Sequence, residues 1–130
     1  MTAVWDTPLT PLAFLRRSAE VFPDKIAIVY GDRRKSYREF AAEATRVAHA
    51  LRGSGIQPGD RVAYMLPNIP EMLVAHFAVP LAGAVLVAIN TRLSTQEVRY
   101  ILDENPPESM RPQLDEAVAA CPRAAIKLVD

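Results

Sequence analysis

The stretch from Arg61 to Ile89 constrains the fold more than any other part of this chain. Residues 61–66 (RVAYML) and 84–89 (AVLVAI) are mostly apolar runs of strand length. About 17 residues lie between them, and they predict a buried helix that begins near Pro70. That connection is too long for a hairpin and long enough for a helical crossover, so the two strands are predicted to pair in parallel. The uninterrupted second run further predicts a strand covered on both faces.

The sequence before this unit predicts a helix followed by a small hairpin. Thr10 and Pro11 form a typical helix start, and Pro23 ends the helix. Residues 25–30 and 33–35 predict the two hairpin strands around a Gly-Asp turn. The three basic residues of the second strand are interpreted as protection of a sheet edge rather than as a binding patch.

Two capping boxes predict the starts of two further helices. Ser36 with Glu39, and Ser94 with Glu97, each combine a hydroxyl N-cap with a glutamate three residues later. The first box precedes an apolar stripe at helical spacing, which consists of Tyr37, Phe40, Ala41, Ala44, Val47, Ala48 and Leu51. The helix after the second box is predicted to turn three residues inward, namely Val98, Ile101 and Leu102.

Composition excludes several classes of function. The 130 residues suffice for one domain, and their zero net charge argues against a nucleic-acid partner. One cysteine, Cys121, excludes an internal disulfide and a multi-cysteine metal site. Neither a signal peptide nor a transmembrane segment is predicted. The chain is expected to be cytoplasmic, with peripheral attachment to a membrane as the open alternative.

The motifs that usually carry catalysis are missing from the sequence. It contains no glycine-rich phosphate loop, no HExxH zinc motif and no nucleophile elbow. His49 is interpreted as a structural residue near a helix end, and Cys121 has no nearby histidine to activate it. We therefore predict no catalytic, cofactor-binding or metal-binding residue in this chain.

Four polar residues remain as candidates for a binding role. Ligands of open parallel sheets bind beyond the carboxyl ends of the strands, which singles out Asn68, Asn90, Thr91 and Arg92. The competing interpretation is that their side chains fix the loops and that the arginine is an ordinary surface residue. Asn68 is also predicted to cap the helix that begins near Pro70.

Three phrases, taken together, resemble one enzyme family. They are FPDKIAIVYGDRRKSYREF, ALRGSGIQPGDRVAYMLPN and HFAVPLAGAVLVAINTRLSTQEVRYILD, and they cover most of residues 10–103. In order and spacing they are similar to the amino-terminal segment of the adenylate-forming superfamily, specifically acyl-CoA synthetases (fatty-acid–CoA ligases). The resemblance implies an α/β fold: a partial amino-terminal subdomain of that family, with a parallel βαβ core and a small hairpin.

The resemblance also implies a two-step reaction. ATP and a fatty or aromatic carboxylic acid form an acyl-adenylate, and the thiol of CoA then displaces AMP, with Mg²⁺ neutralising the phosphates. The family's phosphate loop and catalytic-lysine domain have no matching stretch here. No family site residue can therefore be carried over, and no cofactor is expected for this chain alone.

The sequence after Asp103 departs from the family pattern. ENPPESM breaks the chain, and residues 112–120 and 124–129 predict a helix and a strand. We therefore divide the chain into a partial AMP-binding-type subdomain, residues 1–103, and a divergent tail, residues 104–130. The sequence is interpreted as a truncated acyl-CoA ligase that is inactive alone. The alternatives are a small α/β binding module that lost the chemistry, or a piece that complements a separate remainder; self-association is also expected.

Overall fold

A computed structural model describes residues 9–103, and the structural statements below refer to that part of the chain. The chain divides into two compact units at Thr91 and Arg92. In chain order, the described elements of the first unit are α1 (Pro11–Val21), β1 (Ile26–Tyr30), β2 (Arg33–Ser36), α2 (Tyr37–Gly53), β3 (Arg61–Tyr64), α3 (Pro70–Ala82) and β4 (Val85–Ala88). The second unit contains α4 (Thr95–Leu102). The predicted tail elements and Cys121 lie outside the described residues.

Strands β3 and β4 form the parallel pair that the sequence predicts. Their register runs from Arg61 opposite Val85 to Tyr64 opposite Ala88, with α3 as the connection. The ladder extends beyond the strand ends, because the Ile89 amide donates to the Tyr64 carbonyl over 2.8 Å. The length of the connection therefore correctly predicted that the two strands pair in parallel.

The prediction that the second strand is covered on both faces is wrong for this structure. Ala84 and Ile89 are buried at its two ends, but the Val85 side chain is 53% exposed. A parallel strand is covered on both faces only where further strands and helices surround it. In the described part of the chain, β3 and β4 pair only with each other.

Two glycines with positive φ bring the loops before β3 and β4 together. The Asp60 amide donates to the Gln57 carbonyl over 3.1 Å, and Gly59 has a φ of 90°. A proline followed by a glycine of positive φ is typical of a type II turn. The Gly59 amide donates to the carbonyl of Gly83, which ends α3 with a φ of 90°.

Helix α2 supplies the main apolar face of the first unit. All seven residues of the predicted stripe are buried or half-buried, which confirms that prediction. The Phe40 ring meets the Phe77 ring of α3 edge-on, with ring centroids 5.0 Å apart and an interplanar angle of 78°. The buried core around this pair also contains Leu15, Ile28, Ala44, Val74 and Ala78. Burial of these side chains is the main term that stabilises the helices against each other.

Both predicted capping boxes are present. The Ser36 hydroxyl accepts from the Glu39 amide while the Glu39 carboxylate accepts from the Ser36 amide, and Ser94 and Glu97 make the same reciprocal pair. These hydrogen bonds hold the pKa of each glutamate below its ordinary value. The caps fix where α2 and α4 begin because they satisfy amides that lack partners within the helix.

Arg52 of α2 caps the carboxyl end of α3. Its Nε donates to the Ala82 carbonyl over 3.2 Å, and its Nη2 donates to the Leu81 carbonyl over 2.6 Å. The last carbonyls of a helix lack intrahelical partners and carry its partial negative charge. The Arg52 guanidinium therefore links the carboxyl ends of α2 and α3. The two carbonyl oxygens that it satisfies would otherwise need hydrogen bonds from water.

Two predictions for helices α3 and α4 are wrong. Ile69 is the N-cap of α3 and makes no side-chain hydrogen bond there, because the helix starts at Pro70 and Asn68 lies one residue too early. On α4, Tyr100 is the buried residue, whereas Ile101 and Leu102 are exposed. The stripe as predicted omitted the tyrosine, whose ring carries a large apolar area despite its hydroxyl.

Candidate functional site

The carboxyl ends of β3 and β4 lie side by side, as the strand register requires. Asn68 follows β3 by four residues, and Asn90 and Thr91 follow β4 directly after the buried Ile89. All three side chains are exposed. Arg92 is also exposed and belongs to the second unit. The topology thus places the first three candidates at one end of the parallel pair.

A groove in the first unit lies next to one of these candidates. Strand β1, the start of α1 and the first turns of α3 enclose about 590 Å³. Asn68 lines it, together with Ile69 and Pro70 from the loop into α3. Among the four candidate residues, all of which the structure describes, only Asn68 borders this β1–α3 groove. The sequence did not indicate the groove, because the β1 wall and the α3 wall of the groove are separated by about 40 residues of chain.

The walls of the β1–α3 groove are mainly apolar, with a few polar groups. Ile28, Met72 and Phe77 contribute buried or half-buried apolar surface, and Tyr30, Asn68 and His76 contribute polar atoms. The His76 Nδ1 lies 2.8 Å from the Met72 carbonyl oxygen. A carbonyl oxygen only accepts, so Nδ1 carries the proton and a neutral His76 keeps Nε2 as an acceptor.

An ion pair joins the hairpin to α3 beside this groove. The Arg33 guanidinium donates to the Glu71 carboxylate over 2.5 Å. This hydrogen bond lowers the pKa of Glu71 from its ordinary value, and the carboxylate raises the pKa of Arg33. Lys35 on the same strand pairs with Glu43 of α2. Two of the three basic residues interpreted as edge protection thus also attach the hairpin to the helices.

The Arg33–Glu71 pair predicts a specific pH dependence. The pKa of Glu71 is lower in the folded state than in the unfolded state, so the pair stabilises the fold above the unfolded-state pKa. That contribution is lost as the pH falls through the folded-state pKa. Replacing Arg33 by glutamine is therefore expected to raise the pKa of Glu71, measured by carboxyl ¹³C NMR. It is also expected to make the free energy of unfolding fall less steeply as the pH is lowered.

The neighbouring Arg34 provides the matched control for that measurement. It is exposed on the same strand, and replacing it by glutamine removes the same charge without removing the Glu71 hydrogen bond. An equal rise in the Glu71 pKa in both variants would show that net charge, and not the contact, lowers the pKa.

A second groove, of about 540 Å³, lies between α1, α2 and α3. Small side chains form much of it, including Ala13, Ala19 and Ala41, and Arg16 and Glu20 border it. It lies away from the strand ends that carry the polar candidates. Within residues 9–103, no cluster of three metal-binding side chains occurs, and no helix is long and apolar enough to cross a membrane.

Comparison with known proteins identifies the family. The AMP-binding enzyme family matches residues 15–123, which is most of the chain. The described fold is that of the amino-terminal subdomain of adenylate-forming enzymes, with helices packed on small sheets. The chain therefore belongs to the AMP-binding enzyme family.

The curated relatives are acid–CoA ligases that are much longer than this chain. It is 37% identical over 124 residues to the peroxisomal benzoate–CoA ligase of Arabidopsis thaliana, which covers 95% of this chain and 21% of the relative. It is 42% identical over 104 residues to 4-hydroxybutyrate–CoA ligase 2 of Metallosphaera sedula, covering 80% and 19%. The chain thus spans about a fifth of the length of these relatives.

Solved structures show the same relation. The o-succinylbenzoate CoA synthetase of Bacillus subtilis matches with a TM-score of 0.65 and 33% identity, over 72% of this chain and 24% of that chain. The amino-terminal subdomain of Klebsiella oxytoca NpsA, in complex with 3-hydroxyanthranilyl-AMSN, matches with a TM-score of 0.67 and 26% identity. The match covers 71% of this chain and 24% of that subdomain.

Proposed function

We propose that this chain supplies the amino-terminal scaffold of an ATP-dependent acid–CoA ligase. The observation that supports this most is the family match over residues 15–123, together with relatives that are named as acid–CoA ligases or acyl-activating enzymes. The parallel β3–β4 pair and its crossover helix provide the start of the sheet around which such a subdomain is built.

The proposed reaction is the one that the family resemblance implies. A carboxylic acid, aliphatic or aromatic, reacts with ATP to give an acyl-adenylate and pyrophosphate, and CoA then displaces AMP to give the thioester. Magnesium bound to ATP would neutralise phosphate charge. No step of this chemistry is assigned to a residue between 9 and 103, because that range contains neither a phosphate loop nor a carboxylate cluster.

The strand-end residues are proposed to support the substrate site indirectly. Asn68, Asn90 and Thr91 lie where open parallel sheets receive ligands, and Arg92 follows them in the chain. We assign them to loop positioning beside the acyl-adenylate site rather than to catalysis. The division into residues 1–103 and 104–130, and a cytoplasmic location, are likewise part of the proposal.

The purified 130-residue chain is expected to catalyse no ATP–pyrophosphate exchange. The reason is that adenylation requires preorganised charge around the phosphates, and the scaffold alone lacks the groups that provide it. Exchange of radiolabelled pyrophosphate into ATP would be measured with acetate, butyrate, 4-hydroxybutyrate and benzoate. The complete Metallosphaera ligase serves as the positive control. Exchange by the pure chain at any rate above the enzyme-free blank would refute its proposed inactivity.

A second candidate function is supported by the β1–α3 groove. A scaffold that binds another molecule without catalysis needs an accessible apolar surface, and this groove provides one. Isothermal titration of the chain with fatty acids, benzoate and acyl-CoA separates the two functions. Stoichiometric binding by the isolated chain would favour the binding module, whereas the scaffold role predicts no saturable heat.

A further inference from the structure

Three of the exposed large apolar side chains line the β1–α3 groove. Val29 is 59% exposed, Tyr30 46% and Leu73 40%, and all three line the groove. The buried Ile28 and Met72 line the same groove. Exposed apolar side chains that share one groove mark a place where another molecule binds, whereas single exposed apolar residues do not.

The charges around the groove exclude one class of occupant. Among residues 9–103, no lysine or arginine lines the groove, and the nearby Arg33 is already paired with Glu71, so a bound carboxylate would lose its hydration without gaining a counter-charge. The polar groups at its border, on Tyr30, Asn68 and His76, are neutral hydrogen-bonding groups when His76 is unprotonated. Such a surface accepts apolar protein side chains at its centre and polar contacts at its rim. A fatty or aromatic acid substrate is a poor match.

The size of the matching structures supplies one candidate for the polypeptide that covers the groove. The solved NpsA subdomain has the same fold over this region, but the match covers only 24% of that subdomain. The remaining three-quarters of that subdomain provide polypeptide that can pack against surfaces of such a unit. Within residues 9–103, the groove offers both a concave shape and exposed apolar anchors on its walls.

We propose that the β1–α3 groove is the docking surface for the remaining part of an adenylate-forming subdomain, held through Val29, Tyr30 and Leu73. This inference rests on the proposed function, because the occupant is the rest of the ligase whose amino-terminal scaffold this chain is proposed to supply. The remainder inserts apolar side chains into the groove, and Asn68 and His76 form hydrogen bonds at the rim. A second copy of this chain is the competing occupant.

The test uses the full 130-residue chain and a defined partner. The chain is co-expressed with Metallosphaera 4-hydroxybutyrate–CoA ligase 2 from which the 104 aligned residues have been removed. An affinity tag on the chain is used to purify the complex. The wild-type chain is expected to retain the remainder in a one-to-one ratio, and Leu73→Glu is expected to lower the retained amount at least tenfold.

Two variants make that result specific to the groove. Phe14→Glu adds the same charge at a large apolar residue that is 57% exposed on α1 and does not line the groove. It is expected to retain the remainder as the wild type does. Val29→Glu repeats the test from the other wall, so the experiment does not depend on the folding of one variant. The thermal transition of each isolated variant is measured by circular dichroism.

The possible outcomes separate the docking surface from the proposed function. If the wild-type chain binds the remainder and neither groove variant weakens binding, the groove is not the docking surface, while the proposed scaffold function stands. If the wild-type chain binds no remainder, the scaffold function itself fails. If the isolated chain is a dimer that Leu73→Glu makes monomeric, and no remainder binds, a second copy occupies the groove. If Phe14→Glu lowers the retained amount of remainder as much as Leu73→Glu does, the groove is likewise not the docking surface.

Discussion

Replacement of Phe40 by alanine is expected to lower the free energy of unfolding by about 3–5 kcal/mol. The Phe40 side chain is buried between α2 and α3, and its ring packs edge-on against Phe77. Alanine would remove the apolar contact area, and an aromatic pair adds about 0.5–1.5 kcal/mol beyond that area. Urea denaturation followed by far-UV circular dichroism measures the change.

Phe14 provides the matched control for this prediction. It carries the same side chain on α1, but that side chain is 57% exposed. Replacing it by alanine is expected to change stability by no more than about 0.5 kcal/mol. If Phe40→Ala leaves the chain too unstable for a folded baseline, Phe40→Leu retains most of the volume and is expected to cost less. A loss below about 1 kcal/mol for Phe40→Ala would contradict the packing described for α2 and α3.

Replacement of Gly83 by alanine is expected to destabilise the fold by about 1–2 kcal/mol, the cost of a left-handed conformation for a residue with a Cβ. Gly83 has a φ of 90° at the end of α3. A Cβ there would lie 3.5 Å from the Pro58 Cβ, which is ordinary contact, so the cost comes from the backbone and not from a clash. Thermal and urea unfolding measure it.

Gly53 provides a control with the opposite sign. It lies within α2, has no positive φ, and a Cβ at this position would meet no atom within 4 Å. Replacing it by alanine is expected to stabilise the fold by about 0.5–1 kcal/mol, because alanine loses less conformational freedom in a helix. The same chemical change would thus have opposite effects at two glycines. Destabilisation of similar size at both positions would show that the Gly83 conformation is not the cause.

The groove changes how the neutral composition of this chain is understood. A net charge of zero argued against nucleic acid as a partner, and it gave no reason to expect a partner of another kind. The exposed Val29, Tyr30 and Leu73 now indicate an apolar protein surface. The prediction of self-association and the proposed docking share one physical cause, because an uncovered apolar groove binds whichever matching surface is present at the higher effective concentration.

Local sequence patterns predicted most elements of the fold correctly. The capping boxes at Ser36 and Ser94 gave the starts of α2 and α4. These signals are reliable because each depends on backbone atoms within four residues of the signal. Asn68 failed as a cap for the same reason. Helix α3 starts at Pro70, so Ile69 and not Asn68 occupies the N-cap position.

The binding candidates were predicted from topology, which gives the region and not the residues. The carboxyl ends of a parallel pair had to lie together once β3 and β4 were paired. Which side chains border a cavity depends on the distant β1 hairpin, and of the four candidates only Asn68 borders the β1–α3 groove. His76 was not predicted as a groove residue, because a histidine on an apolar helix shows no spacing that would indicate a rim position.

The sequence by itself determined the parallel pair, the hairpin, the capped helices and the family. Each of these follows from spacing, periodicity or motif order along a continuous stretch of chain. Only the tertiary structure decided that β4 is partly exposed, that Arg52 caps α3, that Arg33 pairs with Glu71, and that β1 and α3 enclose an apolar groove. These features join residues about 30 to 50 positions apart. Their contacts depend on how helices and strands pack, and no local pattern encodes that packing.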